Sequence, residues 1–125
     1  MNGDFLPGLR ARRSEQGQGG VLMALVGELD VHTSSQLREA VVTAVLPGST
    51  RLVRLDLSEV TYCDAGGLYS LLGVTDALEM IGVPVEITSI SPAVRAVTDT
   101  TDLGARLPLR RTTDGREDDL ASGTL

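Results

Sequence analysis

Between Arg51 and Leu72 the chain reads RLVRLDLSEVTYCDAGGLYSLL, an order of residue types that leaves few folds open. Leu52, Val53, Leu55 and Leu57 form a short apolar run with no secondary-structure breaker inside it. Such a run predicts a strand in the middle of a sheet with helices on its faces. Asp64-Ala65-Gly66-Gly67 makes a tight turn, and from Leu68 the apolar spacing becomes helical through Leu71, Leu72, Leu78 and Ile81. This stretch puts a small, exposed tip without hydroxyl groups at a helix N-terminus. Unpaired N–H groups and the positive end of the helix dipole point outward there and favour anions.

The flanking sequence extends the pattern. A weak strand is predicted around Leu9 to Ser14, followed by a hairpin connection at Gln16-Gly17-Gln18-Gly19-Gly20. Val21 to Leu29 predicts a strong strand. A helix follows, with Thr33 as its N-cap in a capping box with Gln36, an apolar face of Leu37, Val41, Ala44 and Val45, and a stop at Pro47-Gly48. After the central strand and helix, closed by Gly82, Val83 to Ile87 reads as a further strand, with Pro84 near its start. Ser91-Pro92 begins a helix carrying Val94 and Val97 and ending near Thr101, and Leu103 to Leu109 supplies a last short strand. The expected order is β-β-α-β-α-β-α-β: one α/β domain over residues 1–109 with a mixed, mostly parallel sheet. Residues 110–125 are polar and charge-alternating, and are expected to be a disordered tail.

With 125 residues, 42% of them hydrophobic, the chain has the size and composition of one globular domain. Only Phe5, Tyr62 and Tyr69 are aromatic, so the core must be aliphatic and the stacking platforms for single-stranded nucleic acid are missing. A net charge of −6 argues against nucleic acid and against an anionic membrane surface. The single cysteine, Cys63, excludes an internal disulfide and a Cys-rich zinc site. No apolar run approaches the length of a membrane span, which makes a soluble cytoplasmic domain the expectation.

A search for catalytic chemistry returns little. His32 precedes a helix cap, where a polar surface residue is unremarkable, and Cys63 follows Tyr62 at the end of a buried strand, where a small buried hydrophobe is the simpler role. Asp30, Asp56 and Asp64 could gather at the C-terminal edge of the strands, but their spacing is not that of a metal site. Gly66-Gly67 lacks the Lys-Ser/Thr of a phosphate-binding loop. These glycines either permit a sharp strand-to-helix turn or offer a flat contact surface to a partner.

Three ordered motifs together resemble the STAS domain, and more narrowly the bacterial anti-sigma factor antagonists: Gly27-Glu28-Leu29-Asp30 before a capped helix, Leu55-Asp56-Leu57-Ser58 in a strand, and Asp64-Ala65-Gly66-Gly67-Leu68 opening the next helix. The similarity runs from about Val21 to Leu107. The resemblance implies a binding protein with no enzymatic activity, cofactor or metal. Such antagonists capture an anti-sigma factor that is also a serine kinase and thereby free a sigma factor. The kinase in turn phosphorylates a serine in an Asp-Ser-Ser-Gly-Leu turn, and the added charge ejects the antagonist. By position, the contact residues implied here are Asp30, His32, Thr33 and Ser34 on one loop, with Asp64, Ala65, Gly66, Gly67, Tyr69 and Ser70 on the other.

The chain departs from that pattern at its switch. Asp64 and Gly67 match, but the two serines are replaced by Ala65 and Gly66, so no phospho-acceptor stands at the expected position. Ser70, about one turn into the helix, is the alternative acceptor, while Ser58 and Thr61 are expected to serve turn hydrogen bonds. The expected function is an antagonist-like module that works without the usual serine switch. Two alternatives keep the fold and change the partner: a structural subunit of a larger STAS assembly, which would self-associate, and the small subunit of a lipid-transport ATPase.

Overall fold

The computed structural model describes residues 8–46 and 48–110. Strands β1 (Leu9–Gly17) and β2 (Gly20–Leu29) form a hairpin. Helix α1 (Ser34–Val45) follows a 3-10 turn at Val31–Thr33. Then come β3 (Leu52–Cys63), α2 (Ala65–Met80), β4 (Val85–Ile90), α3 (Pro92–Thr100) and a 3-10 turn at Leu103–Ala105. The sheet order is β1-β2-β3-β4. β1 and β2 are antiparallel, and the β2–β3 and β3–β4 pairs are parallel, which gives the mixed, mostly parallel sheet expected. The hairpin closes through Gln18 and Gly19, both at positive φ (54° and 83°), the backbone that a two-residue turn between right-twisted strands needs.

One aliphatic core holds the layers together. Met23, Leu25, Leu55, Leu57 and Ile87 from the strands pack with Leu37 of α1, Leu68 and Leu71 of α2 and Val94 of α3 in a single buried cluster. Truncating any of these leucines, Met23 or Ile87 to alanine costs about 2–5 kcal/mol. The opposite sheet face is polar. Arg12 pairs with Glu59 (2.8 Å), Arg54 with Glu86 (3.1 Å), and the Ser89 hydroxyl donates to Asp56 (2.7 Å). β3 is therefore covered on one face only, a correction to the sequence reading. Arg54 and Asp56 interrupt its apolar run at every second position, and they point away from the helices.

Other boundaries shift for local reasons. Thr33 makes no cap bond to α1; Asp30 is the capping residue of the turn before it, and the Gln36 side chain accepts instead from the Leu9 amide (3.3 Å). Ile81 lies beyond the end of α2 and is 67% exposed, so it does not belong to the buried stripe. The last strand reduces to one parallel bridge between Leu109 and Ile87. Pro108 accepts from the Ile87 amide but has no N–H to extend a ladder, and Leu103 and Leu107 turn into the core. Of the tail expected from residue 110, residues 111–125 lie outside the described residues, as does Pro47.

Candidate partner-docking apex

β2 and β3 are parallel neighbours whose last residues, Leu29 and Cys63, pair in register. Each strand is followed by an aspartate that caps what comes next. Asp30 Oδ1 accepts from the His32 amide (2.8 Å) and the Thr33 amide (3.1 Å), while Thr33 Oγ1 accepts from the Asp30 amide (3.1 Å). Asp64 Oδ1 accepts from the Gly67 amide (2.9 Å). The two turns are joined through the backbone, because the Asp64 amide donates to the Leu29 carbonyl (3.3 Å). Two helical starts therefore open side by side at one end of the sheet.

Gly67 makes this closeness feasible. A Cβ there would run into the Leu29 carbonyl oxygen and stand 2.9 Å from the Asp30 nitrogen, so both obstacles are backbone. Gly66 is different. It is half-exposed, and a Cβ would meet Asp64 Oδ1 at 3.4 Å and the Val31 Cβ at 3.6 Å, ordinary contact distances. The first glycine is thus sterically free to be something else, and the second is not.

The residues singled out from sequence divide into two groups. Thr33, Gly67 and Asp30 are buried and hold the two turns in place. His32, Ala65 and Tyr69 are exposed, and Ser34, Asp64, Gly66 and Ser70 are half-buried. Ser34 is occupied, donating from its hydroxyl to the Val31 carbonyl (2.9 Å). Ser70 faces the groove between α1 and α2 rather than the tip. Ser58 and Thr61 belong to β3 itself: the Ser58 amide donates to Asp56, and the Thr61 hydroxyl donates to the Gly27 carbonyl.

Sequence reasoning passed over Val31, which is 61% exposed beside Gly66. An aliphatic residue between two polar ones in a turn was the available signal. With Tyr62 (48% exposed) and Tyr69 (58% exposed), it gives the apex an apolar rim around a bare backbone.

The electrostatics are acidic. The Tyr62 phenol donates to Asp64 Oδ2 (3.3 Å), and its ionisation is pushed upward by the Asp64 charge first, then by burial and the hydrogen bond to Asp64, with Asp30 and Glu28 adding to the effect. Cys63 has its thiol pushed up to about 11, first by burial and then by the charges of Asp64 and Asp30, so it is a packed thiol rather than a nucleophile. Asp56 stands apart on the open sheet face. Partial burial opposes its ionisation, but hydrogen bonds from Ser89 and Ser58 outweigh that and hold its carboxyl below the usual range. Asp30, Asp56 and Asp64 do not converge, and among the described residues no three His, Cys, Asp or Glu side chains come together as a metal site would require. No helix among the described residues is long and apolar enough to cross a membrane.

This sheet order, with helices opening from the parallel strand ends, defines an α/β fold built to present loops at one edge. The STAS domain model matches residues 12–115, and the chain belongs to that family. An anti-sigma F factor antagonist from Lysinibacillus sphaericus is 29% identical over 84 residues, covering 67% of this chain and 72% of the relative. One from Paenibacillus polymyxa is 26% identical over 95 residues, covering 76% of this chain and 81% of the relative. Among solved structures, an anti-sigma factor antagonist from Mycobacterium paratuberculosis superposes with a TM-score of 0.67 at 25% identity, covering 85% of this chain and 88% of the other. The fold is thus that of the anti-sigma factor antagonists.

Proposed function

We propose that this protein is a cytoplasmic anti-sigma factor antagonist-like module, not an enzyme. It captures an anti-sigma factor of the serine-kinase type at the apex formed by 30–34 and 64–70, frees a sigma factor and so regulates transcription. The observation that carries this reading is Gly66: a half-exposed position without a side chain at the start of α2, next to the exposed Val31 and Tyr69. A position without a side chain lets a partner approach the backbone closely. The names of the relatives support the choice of partner.

The same residue removes the usual control. A phosphorylated serine adds about −1.5 to −2 charges, and at an apex that already holds Asp30 and Asp64 it would repel and desolvate badly. Gly66 cannot carry that group, so binding is not switched off at this position. The test is to incubate the protein with candidate anti-sigma kinases and ATP, follow binding, and map modified residues by mass spectrometry. Binding with no phosphate at the apex is expected. Phosphate on Ser70 or Tyr69 with loss of binding would overturn the unswitched reading. Because a Cβ at Gly66 meets only ordinary contacts, Gly66→Ser is expected to fold normally and to become a substrate for a compatible kinase.

A further inference from the structure

α1 and α2 each return from the C-terminal end of a strand to the start of its parallel neighbour, so they run side by side in the same direction. The groove between them has a volume of about 390 Å³ and an almost wholly apolar lining, with Val42 and Val45 on one wall and Gly73, Ala77 and Ile81 on the other. From Ser70 to Ile81 it extends about 16 Å, three turns of a helix. Val42 on one wall and Ile81 on the other are 52% and 67% exposed, so the groove leaves apolar surface open on both sides.

Gly73 is the second observation. It sits in the interior of α2, where glycine is a poor choice, and a Cβ there would meet nothing within 4 Å. Packing within this chain does not account for it. A glycine four residues from an alanine on one groove wall lets a second helix backbone come close. The groove is concave, so it fits a convex occupant better than a second identical groove.

Charge selects among convex occupants. Arg38 lines the groove at its apex end, is exposed, and makes no ion pair among the described residues. We infer that this groove is a docking site for an amphipathic helix of a partner protein, with apolar residues spaced at i, i+3/i+4 and i+7 and an acidic residue over Arg38. Because Ser70 lies one turn from the apex, a partner seated on the tip can lay such a helix along the groove. The inference stands whether or not that partner is an anti-sigma factor.

A displayed library of helical peptides about twelve residues long provides the probe. Selection on the full chain is expected to enrich an apolar stripe with Asp or Glu at one end. Gly73→Met should weaken the enriched peptides at least tenfold while the far-ultraviolet circular dichroism stays unchanged. Arg38→Glu should reverse the selected charge to Lys or Arg. Enriched peptides that bind Gly73→Met equally well would overturn the inference, as would a selected charge indifferent to Arg38→Glu. Two further results would reassign the groove and refute it. One is a concentration-dependent dimer in sedimentation that Gly73→Met abolishes. The other is saturable binding of laurate with no peptide enriched.

Discussion

Gly66 and Gly67 are adjacent and chemically identical, yet their substitution by alanine should have opposite consequences. At Gly67 the new methyl group would collide with the Leu29 carbonyl, and with backbone on both sides neither wall can rotate away. Overpacking of that kind costs about 1–3 kcal/mol, and occasionally more. Relief requires α2 to move off β2, which lengthens the Gly67–Asp64 cap bond (2.9 Å) and the Asp64–Leu29 backbone bond (3.3 Å). Losing the cap adds about 1 kcal/mol, and the gain of alanine over glycine in a helix returns somewhat less than that. The net loss should be about 2 kcal/mol, which a urea slope of about 1.5 kcal/mol per M converts to a midpoint lowered by about 1.3 M. Gly66→Ala meets only contacts of 3.4 Å and beyond, and its midpoint should stay level or rise slightly. Equilibrium urea unfolding of both variants, followed by circular dichroism, makes the comparison. Midpoints within about 0.3 M of each other would show that α2 does not depend on backbone contact with β2.

Cys63, with its thiol pushed up to about 11, should react with a disulfide reagent at about pH 8 far more slowly in native protein than in urea; equal rates would mean the turn opens readily. Asp30→Ala removes the acceptor for two amides and should cost about 1–2 kcal/mol in urea unfolding, with Asp30→Asn recovering most of it. Asp56 is held below its ordinary range in the folded state, so its contribution to stability is present above the unfolded value of about 4 and is lost as pH falls through the lower folded value. Wild type should accordingly lose more stability than Asp56→Asn when unfolding midpoints are compared between about pH 5 and pH 3.

Much of the architecture was legible because a short apolar run gives way to helical spacing within one segment, although Ala65, Gly66 and Gly67, read as a turn before the helix, are the first residues of α2. The open sheet face was missed: Arg54 and Asp56 sit between buried leucines, but a mostly apolar run invites the assumption of helices on both sides. What the sequence could not show depends on distant parts of the chain. Gln36 has the spacing of a capping box, yet it reaches the Leu9 amide because α1 packs over β1. A 3-10 turn shifts the cap from Thr33 to Asp30, and nothing local distinguishes that turn from a first helical turn. Leu103 and Leu107 look like strand residues because they are apolar, although their side chains are needed in the core. At the apex the residue types were readable, but the meeting of Val31 with Gly66 required the parallel register of β2 and β3.

That register also makes the apex a rigid scaffold. The Leu29 carbonyl accepts from the Asp64 amide and abuts Gly67, so the 30–34 turn cannot move without α2. Asp30, Thr33 and Asp64 spend their side chains on amides of these same turns, leaving Val31, His32, Ala65, Gly66 and Tyr69 presented on a scaffold fixed by backbone bonds. Under the proposed docking a partner would order little new chain, so the loop-ordering part of the cost of association is already met by folding. Substitutions should therefore sort cleanly: those at Asp30, Thr33 and Gly67 act through stability, and those at the presented residues act through docking with the fold intact. The backbone beneath Gly66 needs no glycine there, so under the proposed docking the missing side chain belongs to the contact surface and not to the fold.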